Sequence, residues 1–194
     1  MTKIAVVLTE GFADWECAYL LGAGRAFYGL KPTIVTPGGS AVRSMGGLTA
    51  LPMEPLEIVS SETFDILVLC GGTGWDTSEY LDVIALAGDF LAKGKTVAAI
   101  CGATLGLARG GLLDDRAHTS NDLDYLGTAA AYKGKSHYRE IVGAVVDRGL
   151  ITAPGSAPAS FTAEVFRAAG VPEQPIGEFL KMTGAEHVRA ARTG

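Results

Sequence analysis

The sequence predicts a doubly wound α/β domain, a mostly parallel sheet covered by helices on both faces. Short uncharged apolar runs recur along the chain, and stretches of helical length alternate with them. One run, Thr96 to Ile100, ends on Cys101 and turns at once into a small-residue helix. Unusual loops stand where the runs end: around Glu16, at Gly71-Gly72, at Cys101-Gly102 and at Pro154-Gly155-Ser156. In such folds ligands bind outside the carboxyl ends of the strands, so these loops are expected on one rim.

Each element has its own signal. Lys3 to Leu8 reads as the first strand and Trp15 to Tyr28 as the helix after it, with Asp14 as N-cap and Glu16 in the first turn. Gly29 closes that helix, and Lys31 to Thr36 is the second strand. Residues 37–61 alternate weakly around glycine pairs, as a β-hairpin and a loop do. Asp65 to Cys70 is a third apolar strand and Leu81 to Lys93 a surface helix closed by Gly94. The Thr96–Ile100 strand is β-branched or small throughout, as a strand buried on both faces requires. Arg116 to Asn121 reads as a short strand with its exit loop. Ile141 to Val146 and Leu150 to Ala153 flank the turn signal Asp147-Arg148-Gly149 and are expected antiparallel. A helix from about Ala159 to Ala169, a short one over 176–183 and a fraying tail complete the chain. No linker or repeat interrupts it, so residues 1–194 read as one domain.

Composition narrows the function classes. A net charge of -5 without a basic cluster argues against nucleic acid as a partner. No apolar run reaches about 18 residues, and the first residues enter a strand pattern with no signal-peptide character, so neither a membrane span nor export is expected. The three cysteines, Cys17, Cys70 and Cys101, are scattered, which suits reduced thiols and a cytoplasmic location. Metal-ligand spacing is absent, and neither a metal nor a cofactor is expected.

The candidate site is built around Cys101. A strand-to-helix turn exposes a reactive atom only if its neighbours are small, and Ala99, Gly102 and Ala103 meet that need. The helix N-terminus favours a thiolate and is expected to lower the thiol pKa. The plain alternative is a buried packing cysteine. Gly71 and Gly72 read either as a turn leaving a strand or as a close backbone approach, in which the Gly72 and Gly102 amides face a developing oxyanion. Glu16 is either a first-turn carboxylate or, in the apolar setting of Phe12, Trp15 and Cys17, a carboxyl kept protonated beside the thiol. His118 reads first as a structural histidine and second as a base. His137 and His187 receive no role, Trp15 and Trp75 read as core or pocket wall, and Cys17 and Cys70 as packing.

The runs Gly11-Phe12-Ala13-Asp14-Trp15-Glu16, Leu69-Cys70-Gly71-Gly72, Ala98 to Ala103 and Ala153 to Pro158 together resemble, in order and spacing, the ThiJ/PfpI superfamily, relatives of DJ-one and of class I glutamine amidotransferase-like proteins. The resemblance implies a flavodoxin-like sheet sandwiched by helices. It implies Cys101 as nucleophile, Glu16 as its carboxyl partner, Gly72 and Gly102 as oxyanion donors, and a homodimer acting on a small molecule. Hydrolase, hydratase, glyoxalase-like and oxidative-stress roles all occur in the family. Two departures matter. The protease branch has a histidine after the nucleophile where Gly102 stands here, which disfavours a peptidase triad. Where a histidine approaches the cysteine in the DJ-one branch, this chain aligns Ser120, with His118 two residues earlier. The late segment offers Glu186-His187 in the reverse of the amidotransferase order, which disfavours glutaminase activity. A thiolate enzyme is thus the first expectation and a non-enzymatic redox sensor at Cys101 the second.

Overall fold

A central stack of parallel strands dominates the computed structural model, which describes residues 2–77 and 80–190, the last five by backbone alone. In chain order the strands are β1 (Ile4–Val7), β2 (Thr33–Thr36), β3 (Val42–Arg43), β4 (Thr49–Ala50), β5 (Glu54–Pro55), β6 (Ile66–Leu69), β7 (Thr96–Ile100), β8 (Val145–Asp147) and β9 (Leu150–Ala153). The helices are α1 (Asp14–Tyr28), α2 (Gly74–Thr77), α3 (Leu81–Ala92), α4 (Gly102–Arg109), α5 (Leu123–Gly127), α6 (Pro158–Ala168) and α7 (Glu173–Ala190). The main sheet has the order β5-β2-β1-β6-β7-β9-β8. Within it only the β8–β9 pair is antiparallel, and β3 and β4 form a separate hairpin.

The central strands β1, β6, β7 and β9 carry no charge and are almost wholly buried because both faces are covered. Alternation along each strand divides the core. Ile4, Val6, Val68 and Ile100 face α1, α6 and α7, with Phe161, Phe166 and Phe179 filling that layer. Ala5, Val7, Leu67 and Val97 face the other way, onto Trp75, Phe90 and Leu107 of α2, α3 and α4. This two-residue period is the strand geometry expressed in packing.

Register then sets the rim. Leu69 pairs with Ala99, and Ile100 pairs with Ala153. Cys70-Gly71-Gly72, Cys101 and Pro154-Gly155 therefore leave the sheet side by side, and the loop after β1 joins them. The order reverses between β1 and β6, next to this cluster, which is the crevice expected of an open α/β sheet.

Several boundaries differ from the sequence reading. The N-cap of α1 is Ala13, not Asp14; the Asp14 carboxylate instead accepts hydrogen bonds from Ser44 Oγ (2.5 Å) and the Gly46 amide (2.8 Å), tying the helix to the β3–β4 hairpin. Residues 116–121 form no strand: His118 makes a single bridge to Tyr138, because its backbone pairs with the 137–139 loop rather than the sheet. Strand β8 begins only at Val145, leaving Ile141 and Val142 outside the ladder. Helix α7 is 18 residues long, since Pro175 falls in its first turn, where a missing amide costs nothing. The expected fraying tail at 191–194 and the side chains of Glu186 and His187 lie outside the described residues. The short helices α2 and α5 were not anticipated. The turn between β8 and β9 is as expected, with positive φ at both Arg148 (46°) and Gly149 (81°), the signature of a tight hairpin turn. Among the described residues, no helix is long and apolar enough to cross a membrane.

Candidate active site

Cys101 occupies the sharp turn between β7 and α4 with φ 55° and ψ -125°, a conformation that non-glycine residues rarely adopt. Such strain costs on the order of 1–3 kcal/mol and persists only where the surroundings enforce it. Here they do. The Cys101 amide donates to Ala153 O (2.9 Å), and its carbonyl accepts from the Thr104 amide (3.0 Å) and Thr104 Oγ1 (2.6 Å). Ser120 Oγ lies 2.6 Å from Thr104 Oγ1. The Thr104 hydroxyl proton is already committed to the carbonyl, so Ser120 is the donor in this pair. Ser120 thus braces the back of the elbow and is not at the sulfur.

The elbow closes only because small residues surround it. A Cβ on Gly102 would stand 2.6 Å from Gly72 O and 3.3 Å from Gly72 N. The two backbone segments therefore touch, and their amides neighbour each other. The Phe12–Gly72 bridge is closed by Ala13 N–H to Gly71 O (3.0 Å) and Thr73 N–H to Gly11 O (3.1 Å). Among the described residues, that leaves the Gly72 N–H outside the ladder. A Cβ on Gly155 would stand 2.9 Å from both Cys101 Sγ and Glu16 Oε1, and one on Gly71 would strike Glu16 Oε2.

These contacts locate Glu16. Helix α1 buries Glu16, Cys17, Leu20, Ala23 and Gly24 along one stripe, so helical geometry directs the carboxyl inward. Glu16 is 0% exposed, and among the described residues its oxygens find no partner at full hydrogen-bond geometry. They face the Cys101 thiol and the Gly71 amide. Burial pushes the Glu16 carboxyl up to about 7, against the smaller opposing pull of Cys101 and Gly71. The Cys101 thiol is pushed up to about 11 by burial and by the Glu16 charge, while Asn121 and the Gly102 amide act in the lowering direction. The expected lowering by the helix N-terminus is thus outweighed, first by burial of the thiol and then by the carboxylate in its pocket. From about pH 7 to 11 the pair holds one proton. When that proton sits on Glu16 the charge opposing the thiolate is gone, and the sulfur keeps its two donors.

Asn121 was not singled out in the sequence. Its Oδ1 accepts from the Gly155 amide (2.9 Å), which fixes the side chain so that Nδ2 donates to Cys101 Sγ (3.3 Å). No periodicity marks it, since the 118–121 segment is bent rather than a strand, and the alignment had put Ser120 at this place. A cavity of about 170 Å³ opens above the thiol, with Trp15, Met45, Thr73 and Asn121 among its walls. Asp76 and Tyr125 stand at its edge, the Tyr125 hydroxyl donating to Asp76 Oδ1 (2.8 Å). Trp15, half-exposed, donates from Nε1 to Gly155 O (3.2 Å), whereas Trp75 is fully buried core.

His118 is not brought to the sulfur. Nδ1 lies 2.7 Å from Arg116 O and Nε2 2.7 Å from the Tyr132 hydroxyl. A carbonyl only accepts, so Nδ1 carries the proton and Nε2 takes that of Tyr132. Burial lowers the His118 pKa, in keeping with this neutral form. It is a satisfied structural histidine, and the reading of it as a catalytic base is corrected by this geometry. Cys70 is fully buried, its thiol donating to Ala13 O (3.6 Å), and Cys17 is buried beside it. Among the described residues, no group of His, Cys, Asp and Glu side chains is arranged to hold a metal ion.

Two predictions follow from the charges. The Glu16 pKa is raised on folding, so the unfolded chain ionises first, and stability is lost as pH climbs from about 4.5 through about 7. Glu16→Gln cannot ionise. Wild-type stability relative to this variant therefore falls by about 3 kcal/mol across that window, measured by denaturant unfolding at both ends; a pH-independent difference would mean the carboxyl is solvated. Asn121→Asp keeps the Gly155 contact but puts an anion against the sulfur. Its thiolate, followed by ultraviolet absorbance, is expected to form at higher pH, with alkylation of Cys101 near neutrality about tenfold slower.

Comparison with known proteins identifies the family. The DJ-1/PfpI family model matches residues 2–168. The "uncharacterized protease YoaZ" of Bacillus subtilis is 39% identical over 173 residues, covering 85% of this chain and 82% of that protein. The "uncharacterized protease YdeA" of the same organism is 32% identical over 84% of this chain and 80% of that protein. The DJ-1 superfamily protein Atu0886 from Agrobacterium tumefaciens has a crystal structure that superposes with a TM-score of 0.91 at 38% identity, covering 96% of this chain and all of that one. The word protease in the first two names stands against the expectation that peptidase activity is absent, and neither name specifies a reaction. Since the family model spans nearly the whole chain and both relatives exceed 30% identity over more than four fifths of it, the chain belongs to the DJ-1/PfpI family.

Proposed function

We propose that the protein is a cysteine-dependent enzyme acting on a small carbonyl, amide or related compound by thiolate attack. One observation carries this: a thiol on a strained elbow shares a single proton with a water-excluded carboxyl whose pKa is near neutrality. A general acid–base is most effective when its pKa matches the working pH. In the reaction the Cys101 thiolate bonds to the substrate's carbonyl carbon and the C=O π pair moves to oxygen. The Gly72 and Gly102 amides neighbour that oxygen, and Glu16 delivers its proton there. With an acyl substrate that proton passes from the oxygen to the leaving group as its bond to carbon breaks and the C=O re-forms. Glu16, now a carboxylate, takes a proton from the water that cleaves the resulting thioester.

Peptidase and glutaminase chemistry fit less well. His118 is committed to Arg116 and Tyr132, and a cavity of about 170 Å³ suits small molecules better than an extended peptide. A second reading, a peroxide sensor, is favoured by the half-buried thiol with the Asn121 and Gly102 donors beside it. There the thiolate attacks one peroxide oxygen, the O–O bond breaks, and the hydroxide leaves as water with the Glu16 proton. Turnover screened on small aldehydes, esters and amides separates the two. Cys101→Ser is expected to abolish turnover with an unchanged fold. Turnover that persists in that variant removes the enzymatic reading, and a Cys101 that resists peroxide removes the sensor.

The same reading takes the chain as a homodimer. Met45, Leu48, Leu51 and Met53, in and just after the β3–β4 hairpin, are 51–70% exposed, more apolar surface than isolated exposure explains. Light scattering is expected to give twice the 20.1 kDa chain mass, and Leu48→Asp with Leu51→Asp to return it to one. A monomeric wild type would dismiss this assembly.

A further inference from the structure

A second cavity adjoins the one above the thiol. It measures about 200 Å³ and is walled by Asn121, Tyr138, Ile141, Val142, Pro154 and Ser156. Asn121 also lines the first cavity, so the two cavities share one wall residue. That amide is pinned on one side by the Gly155 N–H and on the other meets the sulfur. A molecule bonded to Cys101 thus has the second cavity within reach past Asn121.

The second cavity has an apolar wall that the fold itself does not use. Ile141 is 48% exposed and Val142 is 92% exposed, although the same run could have continued strand β8. The segment is not a frayed end. The Arg139 amide donates to His118 O (2.8 Å) and the Ala144 amide to Ser160 Oγ (3.1 Å), which tethers both sides of the loop. Two adjacent apolar side chains are therefore held in water at the edge of a cavity, a cost in free energy unless something covers them. The charged side chains along the two cavities, Glu16, Asp76 and Glu140, are all acidic, which disfavours an anionic occupant.

The geometry points to a subsite for the uncharged alkyl substituent of the compound whose reacting carbon sits on Cys101. This rests on Cys101 as the nucleophile. The ligand class is a carbonyl compound with a short aliphatic chain, the carbonyl at the elbow and the chain past Asn121 against Ile141, Val142 and Pro154.

The test is the alkylation rate of Cys101 by iodoacetamide and by its N-methyl, N-butyl and N-hexyl derivatives, with Cys101→Ser as the blank. In each the thiolate sulfur bonds to the methylene carbon and iodide leaves, so reactivity toward a free thiol is a common reference. After that correction, the N-butyl reagent is expected to react about tenfold faster than the N-methyl one, since each buried methylene favours the bound state. Ile141→Ser with Val142→Asp, both surface positions, is expected to bring that ratio to about one. Equal corrected rates at every chain length would overturn the subsite and leave the nucleophile standing. So would a chain-length gain that survives both substitutions, because the chain would then bind elsewhere. A Cys101 inert to every reagent would overturn the subsite and the thiolate chemistry together.

Discussion

A carboxyl group sealed from water beneath a thiol is the constraint to which the rest of this rim answers. Removing Glu16 from solvent is unfavourable for its ionised form, and the nearest acceptor of that difficulty is Cys101, which is itself harder to ionise for having Glu16 there. The two groups resolve it by holding one proton between them. Every small residue around the site follows from this closeness. Side chains on Gly71 or Gly155 would collide with the carboxylate or the sulfur, and one on Gly102 with Gly72. The hydroxyl chain from Ser120 through Thr104 to the Cys101 carbonyl then holds the strained turn in place.

How much of this was legible depends on whether a feature is local. The alternation of apolar runs with helical stretches marks the sheet and its layers, because burial on both faces leaves no room for charge in β6 or β7. Cys101 followed by Gly102-Ala103 marks the elbow, since only small residues pass through it. Glu16 among Phe12, Trp15 and Cys17 announces an apolar setting. Other features arise only when distant segments meet. Asn121 acquires its role from Gly155, 34 positions away, and nothing in its own neighbourhood signals that contact. The direction of the thiol pKa is of the same kind: the helix end is local and visible, whereas burial of the thiol and the Glu16 charge arise only when other elements pack around it, and together they win.

His118 illustrates the reverse error. A histidine near a strand end invites a catalytic role, yet Arg116 and Tyr132 use both ring nitrogens and fix one tautomer. Its place in the molecule is to join the 116–121 segment to the 137–139 loop, through the backbone bridge with Tyr138 and an edge-on contact with the Tyr138 ring. It holds the loop that carries Asn121 without approaching the chemistry. Polar side chains here serve shape at one end of the segment and reactivity at the other, three residues apart.

One of the two edge strands of the main sheet, β5, is only two residues long, and its second residue is Pro55. Proline has no amide hydrogen to offer a neighbour, and so short a ladder gives an incoming strand almost nothing to extend. The margin of the sheet is therefore blunted against growth by another chain, a safeguard against fibrous association in a protein whose strands are otherwise long on β-branched and aliphatic residues. Contacts between molecules at that side are left to side chains and loops, not to backbone pairing.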